Sequence, residues 1–346
     1  MSASPGEYRA PVWLPDGHLQ SIYPALIARP AHSYRRQRID TPDGDFIDFD
    51  WLAGAGDAAS PLVVLFHGLE GSAASHYAVA LMRRVRAQGW RGVVPHFRGC
   101  SGAPNRLPRA YHSGDYTEVG WMLERIRALV PDVPLYAVGV SLGGSALLNW
   151  LGREPERAAA QVTAAAAVSA PLDLNAAGIA IEQGFSRLYS RMFRRTLVPK
   201  ALVMARRFPG MLDAAAIRSV DSMYAFDGVV TAPLHGFANT VDYWTRASSK
   251  PWLARIVVPT LVLNARNDPF IPAQSLPGPA DVGPGVLLEQ PSDGGHAGFP
   301  ASPFPGNLDW LPARLIQFFA QQNQYGKGRG IHRAPLGSPP WGAHHG

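Results

Sequence analysis

The sequence has only one cysteine, Cys100, among its 346 residues. A single thiol excludes a disulfide framework and any metal site built from several cysteines. No apolar run approaches the roughly 20 residues needed to span a bilayer. The first nine residues also lack the charged and then apolar layout of a secretory signal. These absences predict a globular, cytoplasmic protein without a transmembrane segment.

Charged residues are scarce as well, at 17% of the chain against 47% hydrophobic residues. This balance supplies a packed core and excludes an intrinsically disordered chain. Lys and Arg exceed Asp and Glu by only 32 to 26, which predicts no nucleic-acid partner. One segment, residues 183–212, contains no acid but seven basic side chains: Arg187, Arg191, Arg194, Arg195, Lys200, Arg206 and Arg207.

The sequence also lacks the short motifs that mark common cofactor and metal sites. It contains no phosphate-binding Gly-x-x-x-x-Gly-Lys-Ser/Thr loop, no dinucleotide-binding Gly-x-Gly-x-x-Gly pattern and no zinc-binding His-Glu-x-x-His pair. The adjacent His344 and His345 lie in a segment without a rigid frame for a metal ion. We therefore expect neither a cofactor nor a metal.

Short apolar segments alternate with amphipathic helical patterns along much of the chain. Ile47, Phe49 and Trp51 alternate with acidic residues, which is the period-2 pattern of a half-buried strand. Further strands are predicted at residues 62–66, 92–95, 135–140, 162–168, 260–264 and 285–289, and helices include residues 143–151 and 310–321. This alternation predicts an α/β fold in which helices flank a mostly parallel sheet.

The alternation is interrupted by a long helical and basic stretch that begins near Asp173 and ends near Lys250. Such a stretch predicts a helical cap inserted into the core. The chain begins with a segment rich in proline and aromatic residues and ends with one rich in glycine, proline and histidine. The predicted parts are an irregular N-terminal arm, a core in two pieces, the cap and a disordered tail: residues 1–40, residues 41–172 with 251–321, residues 173–250, and residues 322–346.

A Gly-x-Ser-x-Gly motif, Gly139-Val140-Ser141-Leu142-Gly143, follows an apolar strand directly and opens a predicted helix. This is the setting of a nucleophile elbow, a sharp turn that holds a serine hydroxyl out at the carboxyl edge of a sheet. An ordinary glycine-rich turn is the alternative, since the bare motif is common by chance. The flanking strand and helix favour Ser141 as a nucleophile.

A serine hydroxyl needs a base to take its proton and a third group to orient that base. His296 lies in a glycine-rich loop after the last predicted strand, and Asp268 follows the strand before it. Both loops lie at the carboxyl edge of a parallel sheet, where the Ser141 turn also lies. The chain order Ser, Asp, His is that of an α/β hydrolase, so the three predict a catalytic triad. Asp173 is the alternative acid because its loop points to the same edge.

Other reactive side chains have simpler explanations. His96 and His112 precede the nucleophile, which this topology does not favour, and His235 lies in the cap, where we expect it to pack or to form hydrogen bonds. Cys100 is expected to be a small loop residue rather than a nucleophile.

Acyl transfer also needs N–H donors for the oxyanion that forms on the substrate. The residue after the nucleophile, Leu142, supplies one backbone N–H. The loop after the strand 62–66 is the expected source of the second, with Leu69 as the predicted donor and Gly68 as the alternative. We expect His67 to brace this loop without transferring protons.

Several further segments resemble one branch of a known family. They include Trp13-Leu14 with His18-Leu19-Gln20, residues 42–46, 67–72, 97–102 and 111–114, and a stretch that runs from Asp227 to Asn267-Asp268. Together these segments resemble the YheT-type branch of the α/β hydrolases, which includes relatives of animal lipid-hydrolysing ABHD proteins. The likeness extends from about Pro11 to Phe319. The chain departs from this family at Trp244, where a second tyrosine is usual, and we expect this change to affect packing more than chemistry.

The resemblance implies an α/β hydrolase fold with Ser141, Asp268 and His296 as the triad, and esterase-type activity. The sequence therefore predicts a serine hydrolase that cleaves short- to medium-chain esters or lipids through an acyl-enzyme. An acyltransferase with the same triad and a non-catalytic lipid-binding protein are the alternatives.

The cap leaves two further questions open. Its apolar residues either line an acyl pocket or form a core of the cap: Phe185, Leu188, Tyr189, Met192, Phe193 and Met204. Its basic residues either form a solvated face or attract an anionic substrate or a lipid surface, which would give weak peripheral membrane contact.

Overall fold

The computed structural model describes residues 6–28 and 32–328, with side chains up to residue 322. Its strands are β1 (Tyr34–Asp40), β2 (Phe46–Leu52), β3 (Leu62–Phe66), β4 (Arg91–Pro95), β5 (Leu135–Val140), β6 (Ala164–Val168), β7 (Thr260–Leu263) and β8 (Val286–Glu289). Its helices are α1 (Gly17–Ile27), α2 (His76–Ala87), α3 (Tyr116–Leu129), α4 (Leu142–Arg153), α5 (Pro155–Gln161), α6 (Leu174–Ala180), α7 (Arg187–Arg207), α8 (Ala214–Ser219), α9 (Met223–Phe226), α10 (Ala232–His235), α11 (Thr240–Ala247) and α12 (Trp310–Gly328).

The eight strands form one sheet in the order β1-β2-β4-β3-β5-β6-β7-β8. β2 pairs antiparallel with both β1 and β4, and all the other neighbours are parallel. The loops that follow the parallel strands therefore emerge at one edge of the sheet. The predicted α/β fold, with helices flanking a mostly parallel sheet, is confirmed.

Apolar side chains cover both faces of the sheet, because successive residues of a strand point to opposite sides. In β5, Ala137 packs with the α3 and α4 side, whereas Tyr136 and Val138 pack with the α2 and α12 side. Trp150 of α4 and Phe319 of α12 are fully buried on these two faces. This two-layer packing holds the central strands, whose ends carry the functional loops.

The strand β2 differs from its prediction, because all seven of its residues are buried. Its acidic residues do not face solvent. Asp48 forms an ion pair with Arg38 of β1 at 2.8 Å, and Asp50 forms one with Arg36 at 2.7 Å. The half-buried interpretation was wrong because β1 supplies partners for the acids, and the pattern of β2 alone does not reveal β1.

The N-terminal segment contains regular structure where an irregular arm is predicted. Helix α1 begins after Asp16, which caps it by accepting the N–H of Leu19 at 2.9 Å, and β1 joins the sheet edge. At the other end, α12 continues to Gly328, beyond the predicted start of the tail. Residues 329–346, most of the predicted tail, lie outside the described residues. The boundaries of the arm, core, cap and tail stay predictions.

Between β6 and β7 the chain forms helices α6 to α11 and no strand, and every residue of this stretch is described. A cluster of buried side chains between the start of α7 and the turn after α9 packs against Leu69 in the loop after β3. This helical stretch therefore lies over the carboxyl edge of the sheet. None of the helices within residues 6–28 and 32–328 combines the length and apolarity needed to cross a bilayer.

Candidate active site

Ser141 occupies the tight turn between the central strand β5 and helix α4. Its backbone has φ 54° and ψ −123°, a conformation that is strained for a residue with a side chain. The neighbouring backbones approach closely here. A Cβ on Gly143 would lie 2.5 Å from the carbonyl oxygen of His67, and a Cβ on Gly139 would lie 2.5 Å from that of Gly143. The two glycines of the motif therefore allow the turn to form.

The imidazole of His296 lies between Ser141 and Asp268. Its Nε2 is 2.9 Å from Ser141 Oγ, and its Nδ1 is 2.8 Å from Asp268 Oδ2. The Asp268 side chain is fully buried, and 12% of the His296 side chain is exposed. When Nδ1–H donates to the carboxylate, Nε2 is left free to accept the serine proton. The structure thus brings the three predicted residues into one hydrogen-bonded chain.

Phe270 contacts both Asp268 and His296. Its backbone N–H donates to Asp268 Oδ1 at 2.8 Å, which leaves Oδ2 for the histidine. Its ring lies 4.2 Å from the His296 ring, measured between centroids. Phe270 therefore restrains the carboxylate and the imidazole together.

The loop that carries His296 is held by side chains of α1, which the sequence motifs did not identify. The backbone N–H of His296 donates to Ser21 Oγ at 2.7 Å, and that of Gly294 donates to Gln20 Oε1 at 2.7 Å. Gln20 is fully buried and also accepts from Asn267 Nδ2 at 2.9 Å. The only signal in the sequence was the family likeness of the His18-Leu19-Gln20 segment, which assigns no role to Gln20.

Asp173, the alternative acid, has a structural role as a helix cap. Its Oδ1 accepts the backbone N–H groups of Asn175 and Ala176 at 3.0 and 3.2 Å, so it caps helix α6. The carboxylate bonded to His296 is that of Asp268.

The other histidines and the cysteine lie outside this chain of hydrogen bonds. His96 is bonded through Nε2 to Asp50 at 2.7 Å. The rings of His112 and His235 contact each other 4.5 Å apart. Cys100 is half-buried in a loop, and desolvation raises the pKa of its thiol to about 12. A thiol of that pKa is a poor nucleophile at neutral pH.

In the loop after β3, the backbone N–H groups on either side of Leu69 both have acceptors. The N–H of Gly68 donates to the Tyr77 hydroxyl at 2.8 Å, and the N–H of Glu70 donates to the Tyr111 hydroxyl at 2.7 Å. Within the described residues no acceptor is recorded for the N–H of Leu69, which lies between them. Of the two donors considered from the sequence, Leu69 is thus the one whose N–H remains available.

This loop lies directly beside the nucleophile turn. A Cβ on Gly68 would lie 3.1 Å from Ser141 Cβ. Leu142 is the first residue of α4, where a helix leaves its N–H groups without internal acceptors. The predicted donors Leu69 and Leu142 therefore flank Ser141, and both also line the cavity next to it. Their oxyanion role stays a prediction.

His67 is buried beneath the loop. Its Nδ1–H donates to the carbonyl oxygen of Gly68 at 2.8 Å, and its Nε2 accepts the N–H of Phe97 at 3.2 Å. Desolvation lowers the pKa of His67 to about 3, so the ring is neutral at ordinary pH. These contacts are those of a brace between two loops.

Two cavities meet at the nucleophile turn. The smaller, of about 130 Å³, is lined by Ser141 and His296. The larger cavity, of about 560 Å³, lies between the core and the helical stretch that joins β6 to β7. Its wall is mostly apolar. Both are lined by the same five residues at their junction: Leu69, Leu142, Met223, Asp227 and Tyr243.

The six apolar residues considered as pocket lining divide into three groups. Phe193 lines the smaller cavity, and Met204 lines the larger one. Tyr189 is buried, with its ring centroid 4.6 Å from that of Phe270. The other three are exposed to solvent by 53%, 44% and 55%: Phe185, Leu188 and Met192. They therefore form neither a pocket nor a core.

Among the described residues, no group of three or more His, Cys, Asp or Glu side chains is placed to hold a metal ion. The ionisable groups beside Ser141 are instead arranged for hydrogen bonding.

Comparison with known proteins gives consistent results. A family model described as the alpha/beta hydrolase fold matches residues 61–303. The chain is 40% identical over 302 residues to an Escherichia coli (strain K12) protein named "Putative esterase YheT", covering 86% of this chain and 88% of that protein. It is 28% identical over 328 residues to human "Phospholipase ABHD3", covering 92% and 80%. A solved structure of Est1E from Butyrivibrio proteoclasticus with ferulic acid matches 83% of this chain and 99% of that chain, with a TM-score of 0.54 and 14% identity.

Proposed function

This chain belongs to the esterase- and lipase-type alpha/beta hydrolase family, and on that premise we propose that it is a serine hydrolase that cleaves carboxylic esters. The observation that carries the proposal is the hydrogen-bonded chain from Ser141 through His296 to Asp268. The strained turn at Ser141 and the available N–H groups of Leu69 and Leu142 support it.

The proposed reaction proceeds through an acyl-enzyme. Ser141 Oγ attacks the ester carbonyl carbon while His296 Nε2 takes its proton, and the N–H groups of Leu69 and Leu142 stabilise the oxyanion. His296 then returns the proton to the departing alcohol. A water molecule, deprotonated by His296, attacks the acyl group, and the carboxylic acid leaves as Ser141 regains its proton. Asp268 holds the imidazole orientation and stabilises its charged form.

The acyl chain of the substrate is proposed to occupy the larger cavity. Its volume of about 560 Å³ falls within the usual range for small-molecule pockets. Its mostly apolar wall suits an alkyl chain, because burial of each CH₂ group stabilises the complex by about 0.8 kcal/mol. The cavity reaches Leu69 and Leu142, so its inner end adjoins the proposed oxyanion donors. This supports short- to medium-chain acyl esters or lipids as substrates.

The test is covalent labelling with a fluorophosphonate probe, which reacts with activated serines. We expect the wild type to be labelled and both Ser141→Ala and His296→Ala to lose labelling. Ser219→Ala, an exposed position on α8, is the matched control and should label normally. Absence of labelling in a folded wild type would contradict the proposal. With an ester substrate and an added alcohol, release of free acid rather than a new ester separates hydrolysis from acyl transfer.

The proposal extends to weak contact with an anionic lipid surface through one face of α7. At 100° per residue, Arg187, Leu188, Arg191, Met192 and Arg195 fall within about 140° of the helix circumference. All five are exposed. None of the three arginines has a recorded ion pair among the described residues. Exposed apolar side chains beside unpaired cations are the chemistry that suits an anionic bilayer.

Vesicle co-sedimentation tests this contact. We expect binding to phosphatidylglycerol vesicles at low salt, little binding to phosphatidylcholine, and loss of binding at high salt. Replacing the three arginines of the α7 face by glutamine should weaken binding roughly 100-fold, at about 1 kcal/mol for each residue. The control carries the same replacement at three exposed arginines elsewhere, Arg218, Arg255 and Arg266. Equal loss in both variants, or no binding at low salt, would contradict the proposal.

A cytoplasmic location stays a prediction.

A further inference from the structure

A buried carboxyl group lies where the two cavities meet. Asp227 lines the smaller cavity together with Ser141 and His296, and it also lines the larger apolar cavity. It begins a single π-helical turn, Asp227–Thr231, between α9 and α10. Such turns are rare and occur frequently at functional sites. The position is therefore unusual both in its backbone and in its surroundings.

Within the described residues, both hydrogen-bond donors to the Asp227 carboxyl are neutral groups. Thr231 Oγ1 donates to Asp227 Oδ1 at 2.6 Å, and Trp244 Nε1 donates to Asp227 Oδ2 at 2.8 Å. No cation among the described residues pairs with it. Burial raises the pKa of Asp227 to about 6, even though both hydrogen bonds act in the opposite direction. A carboxylate can accept about four hydrogen bonds, so its acceptor capacity is only partly used.

Binding Thr231 and Trp244 does not by itself require a charged residue. An asparagine could accept from Trp244 through its carbonyl oxygen and donate to Thr231 Oγ1 through its amide. It would do so without the cost of burying a charge. The structural contacts thus explain a polar side chain at position 227 but not an ionisable one. A strong acceptor facing the cavities has a use only if a ligand supplies a donor.

We propose that Asp227 accepts a hydrogen bond from a hydroxyl group in the alcohol part of the substrate, so that the enzyme favours esters whose alcohol carries a second, free hydroxyl near the scissile bond. This inference rests on the proposed ester hydrolysis. The acyl chain has no donor and suits the larger apolar cavity. The donor therefore belongs to the alcohol part, which occupies the smaller cavity beside Ser141.

The charges around the cavities favour a neutral donor over a cation. Lys200 and Arg98 both line the larger cavity. They are paired with Glu70 at 2.8 Å and with Glu118 at 2.6 Å, respectively, and no further acid of this wall is left to attract a positive ligand except Asp227. A substrate ammonium group would bring another positive charge close to Lys200 and Arg98, which is unfavourable. A neutral hydroxyl would not be repelled.

The experiment compares two esters of equal shape, 2-hydroxyethyl butyrate and propyl butyrate, in which a hydroxyl replaces a methyl group. We expect the wild type to favour the hydroxyethyl ester about 10- to 100-fold in kcat/KM, the range for a hydrogen bond to a charged group. Asp227→Asn should reduce this preference to a few-fold, because the hydroxyethyl ester loses more kcat/KM than the propyl ester does. Asp173→Asn, which neutralises the cap of α6, is the matched control and should keep the full preference.

Two results would overturn the inference: no preference in the wild type, or an equal loss for both esters in Asp227→Asn. The wild-type comparison decides the matter even if that variant does not fold. Failure of the proposed function is distinguishable, because neither ester would then be hydrolysed and the probe would not label Ser141. In that case calorimetry on Ser141→Ala compares binding of the two esters. Tighter binding of the hydroxyethyl ester would support the role of Asp227, and equal binding would overturn it.

Discussion

Replacing Asp227 by asparagine should stabilise the protein at neutral and alkaline pH. The change removes a charge from a site where burial raises the carboxyl pKa from 3.8 to about 6. At 1.36 kcal/mol for each pKa unit, this difference corresponds to about 3 kcal/mol of unfolding free energy. The amide preserves the contacts with Thr231 and Trp244, as argued above, so the charge is the main change.

The sign follows from proton binding in the two states. The unfolded chain releases the Asp227 proton near pH 4, whereas the folded protein keeps it to about pH 6. Below pH 4 both states are protonated and burial of the charge costs nothing. Between these values the wild type loses stability as the pH rises, and above about pH 6 the full cost remains. The asparagine variant has no such dependence at this position.

The assay is urea unfolding of both proteins at intervals between pH 4 and pH 8, followed by circular dichroism. We expect Asp227→Asn and the wild type to differ little at pH 4 and to differ by up to about 3 kcal/mol in favour of the variant at pH 8. Asp221→Asn, at an exposed position of the same helical region, controls for the loss of one negative charge. A difference that does not change with pH would refute the assignment of Asp227 as an uncompensated buried carboxyl.

Three further predictions concern the residues around the site. Arg98→Met should lower the unfolding free energy, measured by urea unfolding, by about 3–5 kcal/mol. The reason is that the variant leaves the buried carboxyl groups that Arg98 contacts without their cation. Gly143→Ala should abolish probe labelling, because its Cβ would lie 2.5 Å from two backbone oxygens. Ser21→Ala should lower kcat about 5- to 150-fold, as expected for about 1–3 kcal/mol lost with the acceptor of the His296 N–H. Unchanged values would contradict each one.

The positions of the core strands along the chain and the approach of Ser141, Asp268 and His296 follow from patterns that the sequence contains locally. Apolar runs mark buried parallel strands, and the carboxyl ends of such strands share one edge of the sheet. A reactive residue just after such a strand is thereby placed near others of the same kind. For this reason the sequence predicts that the three side chains lie in one region. Their catalytic role stays a proposal.

Contacts over long separations could not be predicted in this way. The hydrogen bonds that Gln20 and Ser21 accept from the loop of His296 join residues more than 270 positions apart. Neither side chain carries a motif, and the period of α1 does not indicate which face meets the loop. Burial of Asp48 and Asp50 depends equally on a strand whose own pattern is mostly polar. Such residues acquire their roles only when the sheet and its loops have assembled.

Trp244 shows how a departure from a family pattern can concern chemistry as well as packing. The sequence comparison suggested a change of packing, and its ring does pack so closely on α6 that a Cβ on Gly178 would clash with it. Its Nε1–H also donates to Asp227. An indole is a donor only, so it fixes one carboxyl oxygen as an acceptor whatever the protonation state. The substitution therefore bears on the one buried acid of the cavity junction.

Two features that lower the stability of the protein lie in the wall of the smaller cavity. Ser141 holds a strained backbone, and Asp227 holds an unpaired buried carboxyl. By contrast, the buried Asp45 pairs with the Arg98 guanidinium at 2.9 Å, and its hydrogen bonds hold the pKa of that carboxyl below its usual value. Costs of this kind that coincide with a reactive serine are best explained by ligand contacts. Asp227→Asn should therefore gain stability and lose selectivity together, and a variant that gained stability with its ester preference intact would separate the two.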